Sequence, residues 1–241
     1  MNDVIRQLLE RKSVRVYEDR EIGETEKQMI LEAACQAPTA GNQQLYTILD
    51  ITDQRIKEKL VETCDNQPFI ATAKLVLIFC ADCKKWYDAF RYADCQPRNP
   101  AVGDLLLAVS DANIAAQNAV TAAQSLGIGS CYIGDIMENC EAQRELLNLP
   151  EYVFPAAMVV FGYPTEQQKN REKPRRAQMR HIVHENGYRA MDAEELQHLF
   201  EPKWGNKAYG NSMQAFCNRK YNSDFAREMS RSVAEYLKDF I

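Results

Sequence analysis

The stretch from Asp104 to Gly127 constrains this chain most. Leu105, Leu106, Val109, Ala112, Ala116, Ala119, Val120 and Ala123 set apolar side chains almost all round a helix. A helix of that kind persists only where protein surrounds it, and its alanines let a neighbouring helix approach closely. Asp104 reads as the N-cap and Gly127 as the C-terminal stop. The centre of a domain and a subunit interface both satisfy the pattern.

Two further runs limit what packs around this helix. Leu75-Val76-Leu77-Ile78-Phe79 and Ala157-Met158-Val159-Val160-Phe161 are β-rich and continuously apolar, as expected of central strands buried on both faces. A third strand is predicted from Tyr46 to Ile51. Val4, Ile5, Leu8 and Leu9 recur at helical spacing, as do Met29, Ile30, Ala33 and Ala34 within Glu24 to Ala34. The second of these helices stops at Pro38, and Thr39-Ala40-Gly41-Asn42 forms a turn. A last helix, capped by Ser223, carries Phe225, Met229, Val233, Leu237 and Phe240 on one stripe. The polar, aperiodic stretch from Glu201 to Tyr221 precedes it, so 201–241 reads as a terminal arm reaching over a neighbouring subunit. Helices alternate irregularly with few strands and no repeat is present, which predicts one α+β domain over residues 1–241.

Charge narrows the partners. With 29 basic and 34 acidic residues the formal charge is −5, so nucleic acid and anionic membranes gain no bulk attraction and any anion site is local. The N-terminal residues lack the apolar region of a leader, and no run approaches the roughly 20 apolar residues of a membrane span. A cytoplasmic protein is expected, with the eight cysteines reduced.

Three segments can carry chemistry. In Arg11-Lys12-Ser13-Val14-Arg15 an extended backbone sends the side chains of 11, 13 and 15 to one face, where two guanidinium forks and a hydroxyl match a phosphate. A solvated surface explains the same residues in isolation. Lys173-Pro174-Arg175-Arg176 is a second basic cluster with the same two readings. Between Gly127 and Gly134 three glycines allow backbone to approach a flat ligand, although a helix cap and tight turn account for Gly127. Cys80 and Cys83 have redox-dithiol spacing, and His181 and His184 have the spacing of a helical metal pair. Cys80 closes an apolar strand and the histidines sit among exposed polar residues, so incidental cysteines and no metal are expected.

Taken together, these residues resemble the FMN-dependent nitroreductases over nearly the whole chain, especially the branch of NADPH-linked nitroreductases and flavin reductases. Arg11-x-Ser13-x-Arg15 is similar to that branch's FMN phosphate motif. Ala37-Pro38-Thr39-Ala40-Gly41-Asn42-Gln43-Gln44 is similar to its flavin-edge loop, and Gly129-x-x-Tyr132-Ile133-Gly134 to its ring-facing loop. Lys173-Pro174-Arg175 resembles its second phosphate-side element, and Gln67 falls where the family has a flavin-bound glutamine. Ala40 and Gly41 replace hydroxyl residues common in the branch, leaving Thr39 and Asn42 for polar contacts. Asp135 adds a carboxylate beside the glycine segment.

The resemblance implies a nitroreductase-like fold, with a mostly antiparallel central sheet flanked by helices, a long buried central helix and a C-terminal arm exchanged in a homodimer. It implies FMN held by Arg11, Ser13, Arg15, Thr39, Asn42, Gln67, Tyr132, Ile133, Gly134, Lys173 and Arg175. Hydride would pass from NADPH, or NADH, through flavin N5 to a small acceptor such as a nitroaromatic, a quinone or a flavin, by a ping-pong mechanism without a side-chain nucleophile. Arg219 or Lys220 lies where the branch holds the NADPH 2′-phosphate, and Trp204, Tyr209 and Phe216 are candidates to line the acceptor slot. The alternatives are an FMN carrier or sensor without turnover, and a dithiol protein using Cys80 and Cys83.

Overall fold

A computed structural model describes residues 1–204 and 208–241, leaving out the side chains of Pro202 and Trp204. In chain order the elements begin α1 (Asp3–Glu10), α2 (Glu24–Cys35), β1 (Tyr46–Asp50), α3 (Gln54–Thr63), α4 (Phe69–Thr72), β2 (Leu75–Asp82) and α5 (Lys84–Tyr92). They continue with α6 (Val102–Ser125), β3 (Gly129–Ile133), α7 (Cys140–Leu147), β4 (Val153–Gly162), α8 (Glu166–Asn170), α9 (Ala193–Trp204), α10 (Tyr209–Lys220) and α11 (Asp224–Leu237).

The four strands form one antiparallel sheet in the order β1-β2-β4-β3. Every residue of β2 and β4 is buried, as their unbroken apolar runs require. Alternation along β2 sends Leu75, Leu77, Phe79 and Ala81 to one face, beneath α2 and α6. Val76, Ile78 and Cys80 face the other side, with Leu60, Cys64, Ile70 and Ile136. In β4 the alternation slips: Phe154 and Ala156 share a face with Val159 and Phe161. The register shift opposite Phe79 and Cys80 causes this, because one extra residue sits between Pro155 and Ala157. Proline, which has no N–H for the ladder, is tolerated at such a bulge.

Helix α6 buries Leu105, Ala108, Asp111, Ala112, Ala115, Ala116, Ala119, Val120 and Ala123. Its other side, however, is open within the chain, with Leu106 63% and Leu107 51% exposed. Asp104 is the third helical residue, not the N-cap. Its carboxylate accepts the Ala101 amide at 2.8 Å and pairs with Arg98, closing the first turn from inside. Gly127, at φ 76°, ends the helix as expected. Residues 129–133 form no loop: the segment is the edge strand β3.

The described residues group into two compact units, Met1–Arg171 with Glu228–Ile241, and Glu172–Arg227. The first holds the sheet and α6. In it, residues 228–241 of the expected arm are instead part of their own chain's core. Ser232, Tyr236 and Phe240 are buried, and the Ser232 hydroxyl accepts the Cys140 amide at 2.9 Å. Tyr236 meets Phe154 edge-on at 5.1 Å, and Arg144 pairs with Asp239. Of the stripe that suggested a partner subunit, Phe240 is buried in this core and Val233 and Leu237 pack against it. The second unit contains α9 and all of α10, with α10 against α9. Among the described residues no helix is long and apolar enough to cross a membrane.

Candidate functional site

The segment after α1 runs extended beside β3. Ser13 bridges Ser130 in parallel, and the Val14 amide donates to the Ser130 carbonyl at 2.9 Å. This contact explains Gly129, since a Cβ there would stand 2.6 Å from Val14 Cγ2. The glycine lets two backbones touch; it does not face a ligand. With Val14 buried, the neighbours on either side turn the other way. The Cys131 thiol records where they go. Burial pushes it up, while the Arg15 charge, a Ser13 hydrogen bond, the Arg11 charge and an Arg15 hydrogen bond each draw it down. Arg11, Ser13 and Arg15 thus gather around Cys131. Lys12 leaves on the other side, where Nζ donates to the carbonyls of Lys169, at 2.7 Å, and of Arg171. The Arg171 guanidinium in turn donates to the Ser13 carbonyl.

At the end of β3 the side chains part. Ile133 is buried in the core, so only its backbone can meet a ligand. Tyr132 is half-buried, its hydroxyl donating to Gln117 Oε1 at 3.4 Å; burial, eased by the Arg11 charge, raises the phenol to about 12. Gly134 is exposed, and a Cβ on it would meet nothing within 4 Å. Of the three glycines in this segment, Gly129 is filled by Val14, Gly127 is spent on ending α6 at positive φ, and Gly134 is open at the end of β3.

The loop after α2 is shaped by a residue that sequence reasoning missed. Asp111 on α6 is 2% exposed, and its carboxylate accepts the amides of Ala40 at 3.0 Å and Leu45 at 3.2 Å. The ends of the loop are thereby pinned to the central helix. Between them Gly41, Asn42 and Gln44 all take positive φ, near 56°, 57° and 51°. Thr39 is partly used by the loop, its oxygen accepting the Gln44 amide at 3.2 Å; Asn42 is exposed. Trp86 donates to the Gln43 carbonyl at 2.7 Å from an adjoining cleft. An aspartate among helical alanines was the available signal, but nothing in the spacing says what it caps.

Gln67 follows α3, half-buried, and its Nε2 donates to the Cys64 carbonyl at 3.1 Å and to Asp135 Oδ2 at 2.6 Å. Asp135 is thus engaged by a predicted site residue. In the second unit Lys173 and Arg175 lie in a segment without helix or strand. Arg219 and Lys220 close α10 and stand with Lys203, whose ammonium is lowered by burial and then by those two charges. Phe216 is held between Lys203 at 3.6 Å and Arg219 at 5.3 Å. It anchors this basic cluster. Tyr209 begins α10 half-buried, and the Trp204 side chain is outside the described residues.

The dithiol reading fails. Cys80 and Cys83 are free and buried, and burial, joined by Asp82 at Cys80 and by Asp104 and Asp82 at Cys83, raises both thiols to about 12, the reverse of an activated thiolate. His181 is buried, not exposed as expected, and accepts from Arg180 Nε at 3.2 Å. Among the described residues no group of His, Cys, Asp and Glu could hold a metal ion.

An antiparallel sheet under a long helix, with a basic triad and an open glycine at its edge strand, defines a class, and comparison with known proteins agrees. The Nitroreductase family model matches residues 8–163. The chain is 33% identical over 240 residues to the FMN reductase [NAD(P)H] of Bacillus subtilis (strain 168), covering 99% of this chain and 92% of the relative. It is 32% identical to the oxygen-insensitive NADPH nitroreductase of Salmonella typhimurium, over 81% of this chain and 79% of the relative. The NADPH:FMN oxidoreductase of Vibrio harveyi, solved with NAD+, superposes with a TM-score of 0.78 at 25% identity, over 98% of this chain and 97% of that one. The chain belongs to the nitroreductase family.

Proposed function

We propose that this protein is an FMN-dependent reductase. It takes hydride from a reduced nicotinamide, preferentially NADPH, and passes two electrons to a small acceptor such as a nitroaromatic, a quinone or a flavin, in a ping-pong sequence. The observation that carries the reading is the convergence of Arg11, Ser13 and Arg15 at β3, a few residues from an open Gly134.

The residues present suit FMN by their chemistry. Two permanent cations and a hydroxyl are a phosphate donor set, and a bare backbone is what a flat ring needs. Lys173 and Arg175, two further cations in the second unit, have the chemistry of phosphate ligands. Thr39 keeps its hydroxyl proton to donate, and Asn42 presents an amide from a loop fixed by Asp111. Tyr132 and Ile133 contribute through the strand backbone. When bound, FMN supplies the ring that accepts and returns hydride, so the protein's task is to bind, orient and exclude.

Lys203, Arg219 and Lys220 form a cationic group suited to the NADPH 2′-phosphate. Arg219→Ala and Lys220→Ala should each raise the Michaelis constant for NADPH several-fold while leaving that for NADH in place. Unchanged NADPH constants in both variants would remove the assignment. The chain works as a homodimer with the FMN sites at its interface. Support comes from the exposed outer side of α6 and from Val4, Ile5, Leu8 and Leu9 on α1, which lies against it. The cysteines stand as free thiols, which suits a reducing cytoplasm.

The absorption spectrum tests the cofactor. Purified protein should carry the visible band of oxidised flavin and bleach on anaerobic mixing with NADPH. A colourless protein that takes up no FMN would defeat the proposal, and a yellow one that NADPH fails to bleach would be a carrier.

A further inference from the structure

Gln67 donates from one nitrogen to two acceptors, the Cys64 carbonyl at 3.1 Å and Asp135 Oδ2 at 2.6 Å. A primary amide has two N–H bonds, so both are committed, and the atom it retains for a ligand is the acceptor Oε1. Turning the amide over would set oxygen against two oxygens. Asp135 therefore decides which end of Gln67 is offered.

Asp135 is itself held. Glu138 is 5% exposed, shares a hydrogen bond with Asp135, and its Oε1 is buried without a partner. Two carboxyl groups form that bond only while one proton lies between them. The groups facing Glu138 are acidic on every side: Asp135 on its own turn, Asp65 beyond α3 and Glu228 on α11. The Cys64 thiol also lies close. Arg231 is engaged by Glu141 and Glu228. Burial first, then Asp135, pushes the Glu138 carboxyl up to about 8.

We propose that Asp135 and Glu138, joined by one shared proton, are positioning residues that hold the Gln67 amide with its oxygen toward the flavin. This rests on the FMN reading above and adds a dependence on pH to it. Loss of the proton leaves two carboxylates in contact, their repulsion moves Asp135 off Gln67, and the amide loses its fixed orientation. FMN binding, which uses that orientation, favours the protonated pair. The affinity therefore falls as pH rises through the Glu138 titration.

The test is the FMN dissociation constant of the full chain, from quenching of flavin fluorescence, between about pH 7 and about pH 9. If binding raises the Glu138 pKa by about one, the wild-type constant grows about fivefold across that range. The FMN phosphate titrates mainly below it, near about 6. Glu138→Gln keeps a donor toward Asp135 at every pH, so its constant should match the wild type at the lower end and stay flat. Asp135→Ala removes the acceptor, so its binding should be weaker throughout and equally flat. A flat wild-type profile, or a pH dependence retained in Glu138→Gln, overturns the positioning role and leaves the FMN reading standing. If Glu138→Gln does not fold, retention of the slope in Asp135→Ala has the same force. Failure of the wild type to bind FMN at any pH overturns the FMN reading itself.

Discussion

Single side chains in this protein act mostly by what they allow others to do. Val14 is buried against Gly129, and that contact fixes the strand from which Arg11, Ser13 and Arg15 project. Gly129→Ala forces a methyl group into Val14, an overpacking that costs about 1 to 3 kcal/mol. A lower urea midpoint and weaker FMN binding are expected, with both restored in part by adding Val14→Ala. If Gly129→Ala leaves stability and FMN affinity unchanged, the close approach does not matter. Asp111 acts comparably, since one buried carboxylate holds two loop amides. Both roles escape sequence reasoning for one reason: each depends on a partner far along the chain, 115 positions away for Gly129 and 66 or 71 for Asp111.

Among the elements, the centres of β2 and β4, residues 75–79 and 157–161, could be read, because strand segments buried on both faces are apolar in an unbroken run. The bulge in β4 could not, since a slipped alternation leaves no trace in a run where every residue is apolar. Strand β3 was hidden by the glycines in and around it, which suggest a loop until Val14 is seen to need the space at Gly129. For α11 the stripe of apolar residues predicted a helix but not that Ser232 and Tyr236, beside the stripe, meet the chain's own α7 and β4. Tyr236→Ala should therefore cost about 3 to 5 kcal/mol, as expected for a buried aromatic. It should do so in a dilute, monomeric sample as well as in a concentrated one. A loss of stability that appears only when subunits associate would mean that this face of α11 serves a neighbour after all.

At the level of the whole molecule, the outer side of α6 is an exposed apolar face. Leu106, Leu107 and Ile114 are exposed there although the helix is apolar almost all round. Leu106→Glu combined with Leu107→Glu should convert a dimer to monomers in sedimentation velocity, while the far-ultraviolet circular dichroism stays native. FMN retention should fall with dimerisation if the cofactor sites lie at that interface. A wild type that sediments as a monomer would remove the interface.

Much of this protein was determined by local chemistry. Periodicity identified the central helix and the two inner strands, and alternation in Arg11-Lys12-Ser13-Val14-Arg15 placed the basic groups on one face, because such patterns depend only on backbone geometry. Tertiary structure decided the rest: that Gly129 serves Val14 while Gly134 stays open, that Asp111 ties the loop to α6, and that Asp135 and Glu138 stand behind Gln67. Those contacts join residues whose neighbours in sequence say nothing of them, and only close packing brings them within reach.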